Sequence, residues 1–201
     1  MASGLTGTFA NAQTADLISA SERGDLPVVN AMLSQGDVSV NAKRRDTGDA
    51  ALLLASENGH LKVVQALLAA GADVDAKGYG GFTALIWASR RNHLEVVQAL
   101  LAAKADVDAT RNDRGRTALL EAIDYDVRED HLDVVRALVE AGANVNAIDG
   151  TGVTALIEAA SGGRLAIVRV LLAANANVNI PSSAWRPPTQ IGIRHSNAPR
   201  H

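Results

Sequence analysis

The chain has 201 residues, nearly half of them apolar but only six aromatic, with a net charge of −3 and no cysteine. That length accommodates one compact domain or one short array. Lack of cysteine excludes disulfides, thiolate zinc sites and a cysteine nucleophile. The acidic balance disfavours a nucleic-acid binder, and no uncharged apolar run approaches the roughly 18 residues of a membrane-crossing helix.

Residues 1–12 (MASGLTGTFANA) read as a flexible leader. They end in Ala10-Asn11-Ala12, an A-x-A pattern like a signal-peptidase site, but lack the basic start and long apolar segment of a signal peptide. The default compartment is therefore the cytoplasm, with the periplasm or the exterior as the alternative if these residues are a signal-peptide remnant.

A pattern then recurs. Repeat one (13–42) is degenerate; Gly24 is placed to end its first helix in a left-handed conformation, and Pro27 falls in the first turn of its second. Repeat two (43–76) contains GDAALLLASENGHLKVVQALLAAGADVDA, and repeat three (77–109) contains GFTALIWASRRNHLEVVQALLAAKADVDA. His60 and His93 are 33 residues apart, a period that signals stacked units. In each unit a first helix is expected to start near the Thr position and to end near Gly59 or Asn92. A second helix runs from Leu61 or Leu94 to Ala69 or Ala102, with Val63, Val64, Leu67 and Leu68, and their equivalents, on one face. Lys104 aligns with Gly71, Gly142 and Asn175, so it is expected at positive φ.

Repeat four (110–147) is longer: Leu119 to His131 spans 12 residues against 8 from Leu85 to His93. The extra residues fall within 124–129, in a surface turn that either drifts neutrally or contacts a partner. Repeat five (148–180) is complete, but its outer surface is more apolar than a last repeat should be. Residues 181–201 abandon the pattern and read as a proline-containing, mostly disordered tail.

The four full copies resemble the ankyrin repeat, whose core is G-x-T-P-L-H-x-A-A-x-x-G-H-x-x-V-V-x-L-L-L-x-x-G-A-x-x-N-A. The resemblance implies an all-α solenoid of stacked helix-turn-helix units with extended, hairpin-like fingers, and a binding scaffold rather than an enzyme. The family's Pro is Ala51, Ala84, Ala118 or Ala155 here, and its second-motif His is Leu53, Ile86, Leu120 or Ile157. Thr83, Thr117 and Thr154 can cap their helices, whereas Ala50 cannot. His60, His93 and His131 occupy the family's Gly-His position, where the resemblance implies a backbone-bonding role rather than a metal site.

No catalytic, cofactor or metal constellation stands out: H-E-x-x-H, G-x-S-x-G and a phosphate-binding glycine loop are all missing. Asp73, Asp75, Asp106 and Asp108 lack EF-hand spacing and read as solvated acids rather than calcium ligands. Solenoids bind through a concave surface of successive equivalent positions. Carried over from the family, that surface comprises the finger tips and the exposed side of the first helices. It offers Arg44, Arg45, Lys77, Tyr79, Phe82, Trp87, Arg90, Arg91, Arg114, Arg116 and Tyr125 as partner-binding candidates. Four of the six aromatics lie in this set, and binding hot spots are enriched in Trp, Tyr and Arg. The expected partner is another protein, with no small-molecule substrate and no membrane. The alternative is a polyanion or nucleic acid on the arginine face, which would require strongly salt-dependent binding. A monomer is expected, with dimerisation through repeat five as the alternative.

Overall fold

The computed structural model describes residues 17–36, 38–111, 114–124 and 131–179. The leader, the tail, most of the repeat-four insertion and Tyr125 lie outside the described residues. Ten α-helices appear among the described residues. In chain order these are α1 (helical over 17–23), α2 (Leu26–Gln35), α3 (Ala51–Glu57), α4 (Leu61–Ala69) and α5 (Ala84–Arg90). Then come α6 (Leu94–Ala102), α7 (Ala118–Ala122), α8 (Leu132–Glu140), α9 (Ala155–Ser161) and α10 (Leu165–Ala173). Two layers result. The first helices α3, α5, α7 and α9 pack in succession, and the second helices α2, α4, α6, α8 and α10 form the layer behind them. The second helices of repeats two and three run where the sequence pattern places them.

Small side chains permit this stacking. Ala51, Ala55, Ala84, Ala88, Ala118 and Ala122 are buried between neighbouring first helices, so backbones approach closely. The result is one continuous core: Leu52, Leu85 and Leu119 from the first layer meet Val63, Val64, Leu67, Val96, Val97, Leu100, Val134, Val135 and Leu138 from the second. Burying each such side chain is worth about 1.5–3 kcal/mol.

Helix ends obey local chemistry. The hydroxyls of Thr83, Thr117 and Thr154 accept from the amides of Ile86, Leu120 and Ile157 at 3.3–3.4 Å, while Ala50 makes no such cap. Helix α6 ends in a left-handed turn at Lys104, with φ of 68°. There the Lys104 amide donates to Leu101 and the Ala105 amide to Leu100, the paired bonds of a Schellman terminus. Asn175 adopts φ of 63° at the same place in repeat five.

Histidines join the repeats. His60 Nε2 donates to the Glu22 carbonyl and His93 Nε2 to the Glu57 carbonyl, each at 3.0 Å; a carbonyl can only accept, so Nε2 carries the proton. Each ring lies against the glycine that ends the preceding repeat's first helix. A Cβ on Gly24 or Gly59 would come within 2.6 or 2.7 Å of the ring, so these two sites favour glycine for space as well as for positive φ, although Asn92 takes φ of 60° at the equivalent place in repeat three. In repeat five Arg164 takes over, its guanidinium donating to the carbonyls of Ile123 (2.9 Å) and Asp124 (2.8 Å).

The fingers are stitched by side-chain oxygens. Asn41, Asp75, Asp108 and Asn146 Oδ1 accept the amides of Asp73, Asp106, Asn144 and Asn177 in the next finger at 2.7–2.9 Å. The Asp73, Asp106, Asn144 and Asn177 side-chain oxygens in turn accept the amide two residues on. Asp73, Asp106 and Asp108 remain exposed while taking part in this ladder; Asp75 and Asp108 are its cross-finger rungs, and Asp73 and Asp106 bond within their own fingers. Lys43 and Lys77 add a parallel stitch, donating through Nζ to the carbonyls of Lys77 (2.8 Å) and Thr110 (3.0 Å).

Candidate interaction surface on the fingers and first helices

Each finger turns back on itself before its first helix, in hydrogen-bonded pairs such as Arg44 to Asp49, Gly78 to Phe82 and Arg111 to Arg116. That turn brings the residue before the helix N-cap beside the fourth helical residue. In repeat three the pair is Phe82 and Trp87, stacked with centroids 4.0 Å apart and planes 12° apart. The Arg111 guanidinium lies 4.1 Å over Phe82, and Arg91 lies 5.6 Å from the Trp87 centroid. A column of two rings flanked by two cations results, each contact favourable by roughly 0.5–2 kcal/mol.

In repeat four the same two positions hold Arg116 and Glu121, an ion pair at 3.2 Å. Glu121, with a side chain 0% exposed, is the hub of the region: it also pairs with Arg90 and Arg111, each at 2.9 Å. Arg116 is buried too, donates to the Leu120 carbonyl at 2.8 Å, and faces Asp124, Asp149 and Glu158 at 3.3–3.6 Å. Burial opposes its charge, but Glu158, Asp124, Glu121 and Asp149 together outweigh that and hold the guanidinium above its ordinary pKa. Burial likewise opposes the Asp149 carboxylate. The Thr151 hydroxyl, the Val153 and Thr151 amides and Arg116 outweigh it and hold the pKa below the usual carboxylate value.

The candidates named from sequence therefore divide. Tyr79 is 72% exposed on the turn at the repeat-three finger tip. Arg45 and Arg114 are exposed and form no ion pair among the described residues. Arg91 is exposed and bound to Glu57 at 2.7 Å; Arg44 is half-buried against Glu22 at 2.6 Å. Trp87 and Arg90 are half-buried, and Lys77 is exposed but committed to Thr110. Phe82 and Arg116 correct the expectation of accessible contacts: both are buried, Phe82 beneath Trp87 and Arg111, and Arg116 among four carboxylates. Tyr125 lies outside the described residues. Glu121 was not among the candidates. Its trace in the sequence is the exchange of an aromatic pair for an arginine and a glutamate at matched positions of adjacent repeats.

Among the described residues, no three His, Asp or Glu side chains are grouped to hold a metal, and no helix is long and apolar enough to cross a membrane. The chain matches the family model for ankyrin repeats (3 copies) over residues 17–111 and 105–182. No curated protein matches it. Ankyrin repeats generally mediate protein–protein interaction and are typically non-enzymatic scaffolds. Stacked helix pairs, laddered fingers and the family match together make this chain a member of the ankyrin repeat family.

Proposed function

We propose that the protein is a binding scaffold whose partner, another protein, docks on the concave finger and first-helix face of repeats two to four. The observation that carries the reading is the prearranged column of Arg111, Phe82, Trp87 and Arg91 beside the exposed Tyr79. Rings and guanidiniums already held in place lose little rotamer freedom on binding, which leaves more of the contact energy for affinity. The polyanion alternative finds less support. Arg44 and Arg91 each pair with a carboxylate, and Arg90, Arg111 and Arg116 are balanced together by Glu121, Asp124, Asp149 and Glu158, which leaves little free positive field for phosphates. Repeats 13–180 form the binding unit in this reading, and a monomer carries it.

The test is in-cell crosslinking with three forms of the full chain: the wild type, Tyr79→Ala with Arg91→Ala, and Arg136→Ala on the exposed side of α8. A protein crosslinked to the wild type and to the Arg136 variant but lost from the double variant is the expected result. Equal crosslinking in all three forms, or equal loss from both surfaces, would refute the assignment.

A further inference from the structure

The array ends in an apolar face that no other described residue covers. Leu52, Leu53 and Val64 of repeat two are buried against repeat three, whereas their repeat-five equivalents Leu156, Ile157 and Val168 are only half-buried. Leu165, Leu172 and Val178 are 61, 44 and 64% exposed. The same three positions in repeats two to four, from Leu61, Leu68 and Val74 onward, all pack partly or fully against the core. Each row thus opens at repeat five, the last unit among the described residues.

Residues 181 onward do not read as a sixth repeat. The family match ends at residue 182, and Pro187 stands where Thr154 caps α9, with no hydroxyl to take its place. Beyond them TQIGIRHSNAPRH shows no helical apolar period. We infer that the segment from 180 onward lies across this face as an intramolecular cover, with Trp185 seated against α10.

Three features favour the chain's own segment over a second copy. The first is reach. Residues 180 to 185, extended, span about 20 Å, and a nine-residue helix such as α10 is about 13.5 Å long. The tether is therefore longer than the helix it would cover. The second is concentration: a short tether presents its segment at an effective concentration of about millimolar, above that of a separate chain in dilute solution. The third is chemistry. The segment carries Trp185, Ile191 and Ile193, and a Trp alone can bury roughly 150–250 Å².

Trp87 and Trp185 are the two tryptophans of the chain, so a full-length Trp87→Phe variant isolates the second. At concentrations where light scattering shows monomers, Trp185 emission should be blue-shifted and its acrylamide quenching several-fold slower than in urea. Adding Leu172→Glu should bring both close to their values in urea. Trp185→Ser, in the otherwise unaltered chain, should speed hydrogen exchange in α10 several-fold. Quenching in the folded monomer as fast as in urea, or α10 exchange unchanged by Trp185→Ser, would overturn the proposal. So would protection of Trp185 that Leu172→Glu leaves intact. Protection that vanishes on dilution together with a dimer would overturn it too, and would assign the face to a second copy instead.

Discussion

Replacing Glu121 by glutamine should be among the most damaging isosteric changes available to this protein. The substitution keeps the shape of the side chain and removes its charge. Three guanidiniums, from Arg90, Arg111 and Arg116, then converge on a buried neutral amide. The amide oxygen still accepts, but its nitrogen can only donate, and it faces further donors. Removing one partner of a buried ion cluster costs about 3–5 kcal/mol, because the charges left behind stay desolvated. A folding stability of about 5–15 kcal/mol would lose much of its margin. For a chain of this size the melting temperature should fall by roughly 6–20 °C. Glu22→Gln is the control: the Glu22–Arg44 pair is shorter, at 2.6 Å, but its side chains are 43 and 30% exposed. Solvent screening limits that pair to about 0–1 kcal/mol. Urea unfolding followed by circular dichroism separates the two cases. A loss below about 1 kcal/mol for Glu121→Gln, or equal losses for both variants, would show that burial does not set the strength of the cluster.

Lys104→Gly should stabilise the protein by up to about 1 kcal/mol by relieving the left-handed strain, less the extra freedom of glycine in the unfolded chain; Lys104→Val should destabilise it, and the reverse order of melting temperatures would contradict the turn. Ala50→Thr should add about 1 kcal/mol by supplying the missing cap of α3, since threonine is already buried at the three equivalent positions, Thr83, Thr117 and Thr154; a thermal melt with no gain would refute it. The depressed pKa of Asp149 makes its contribution complete above the ordinary carboxylate value near 4 and progressively lost as pH falls through the lower folded value. Asp149→Asn should accordingly lower stability at neutral pH and flatten its decline in acid, and parallel stability–pH curves for variant and wild type would overturn this linkage.

The helical layers were legible because their cause is periodic. Val63, Val64 and Leu67 recur as Val96, Val97 and Leu100, and the core they build requires nothing outside one unit and its neighbour. Lys104 was legible for a similar reason: an aligned glycine and asparagine betray a backbone angle whatever side chain stands there. The candidate surface was only half legible. Arginines that look free along the chain meet carboxylates 22 to 34 residues away: Glu22 for Arg44, Glu121 for Arg90 and Glu57 for Arg91. Such pairing depends on which rows of adjacent repeats face one another, and composition does not carry that. Asp73, Asp106 and Asp108 are exposed, as their sequence context suggests, but the bonds that Asp75 and Asp108 make to the next finger are not legible, for the same reason.

The finger ladder and the Glu121 cluster treat the order of the repeats differently. Every rung asks only for an oxygen on one finger and an amide on the next, and Asn41, Asp75, Asp108 and Asn146 serve equally. A unit duplicated or deleted between repeats one and three would meet compatible rungs on both sides, so the ladder itself would tolerate the change. The joints among repeats three, four and five are keyed: Arg90 needs a glutamate in the following unit, and Arg116 needs Asp149 and Glu158 in the one after its own. Shuffling those units would strand buried charge. A duplication or deletion among repeats three to five should therefore cost more stability than one among repeats one to three.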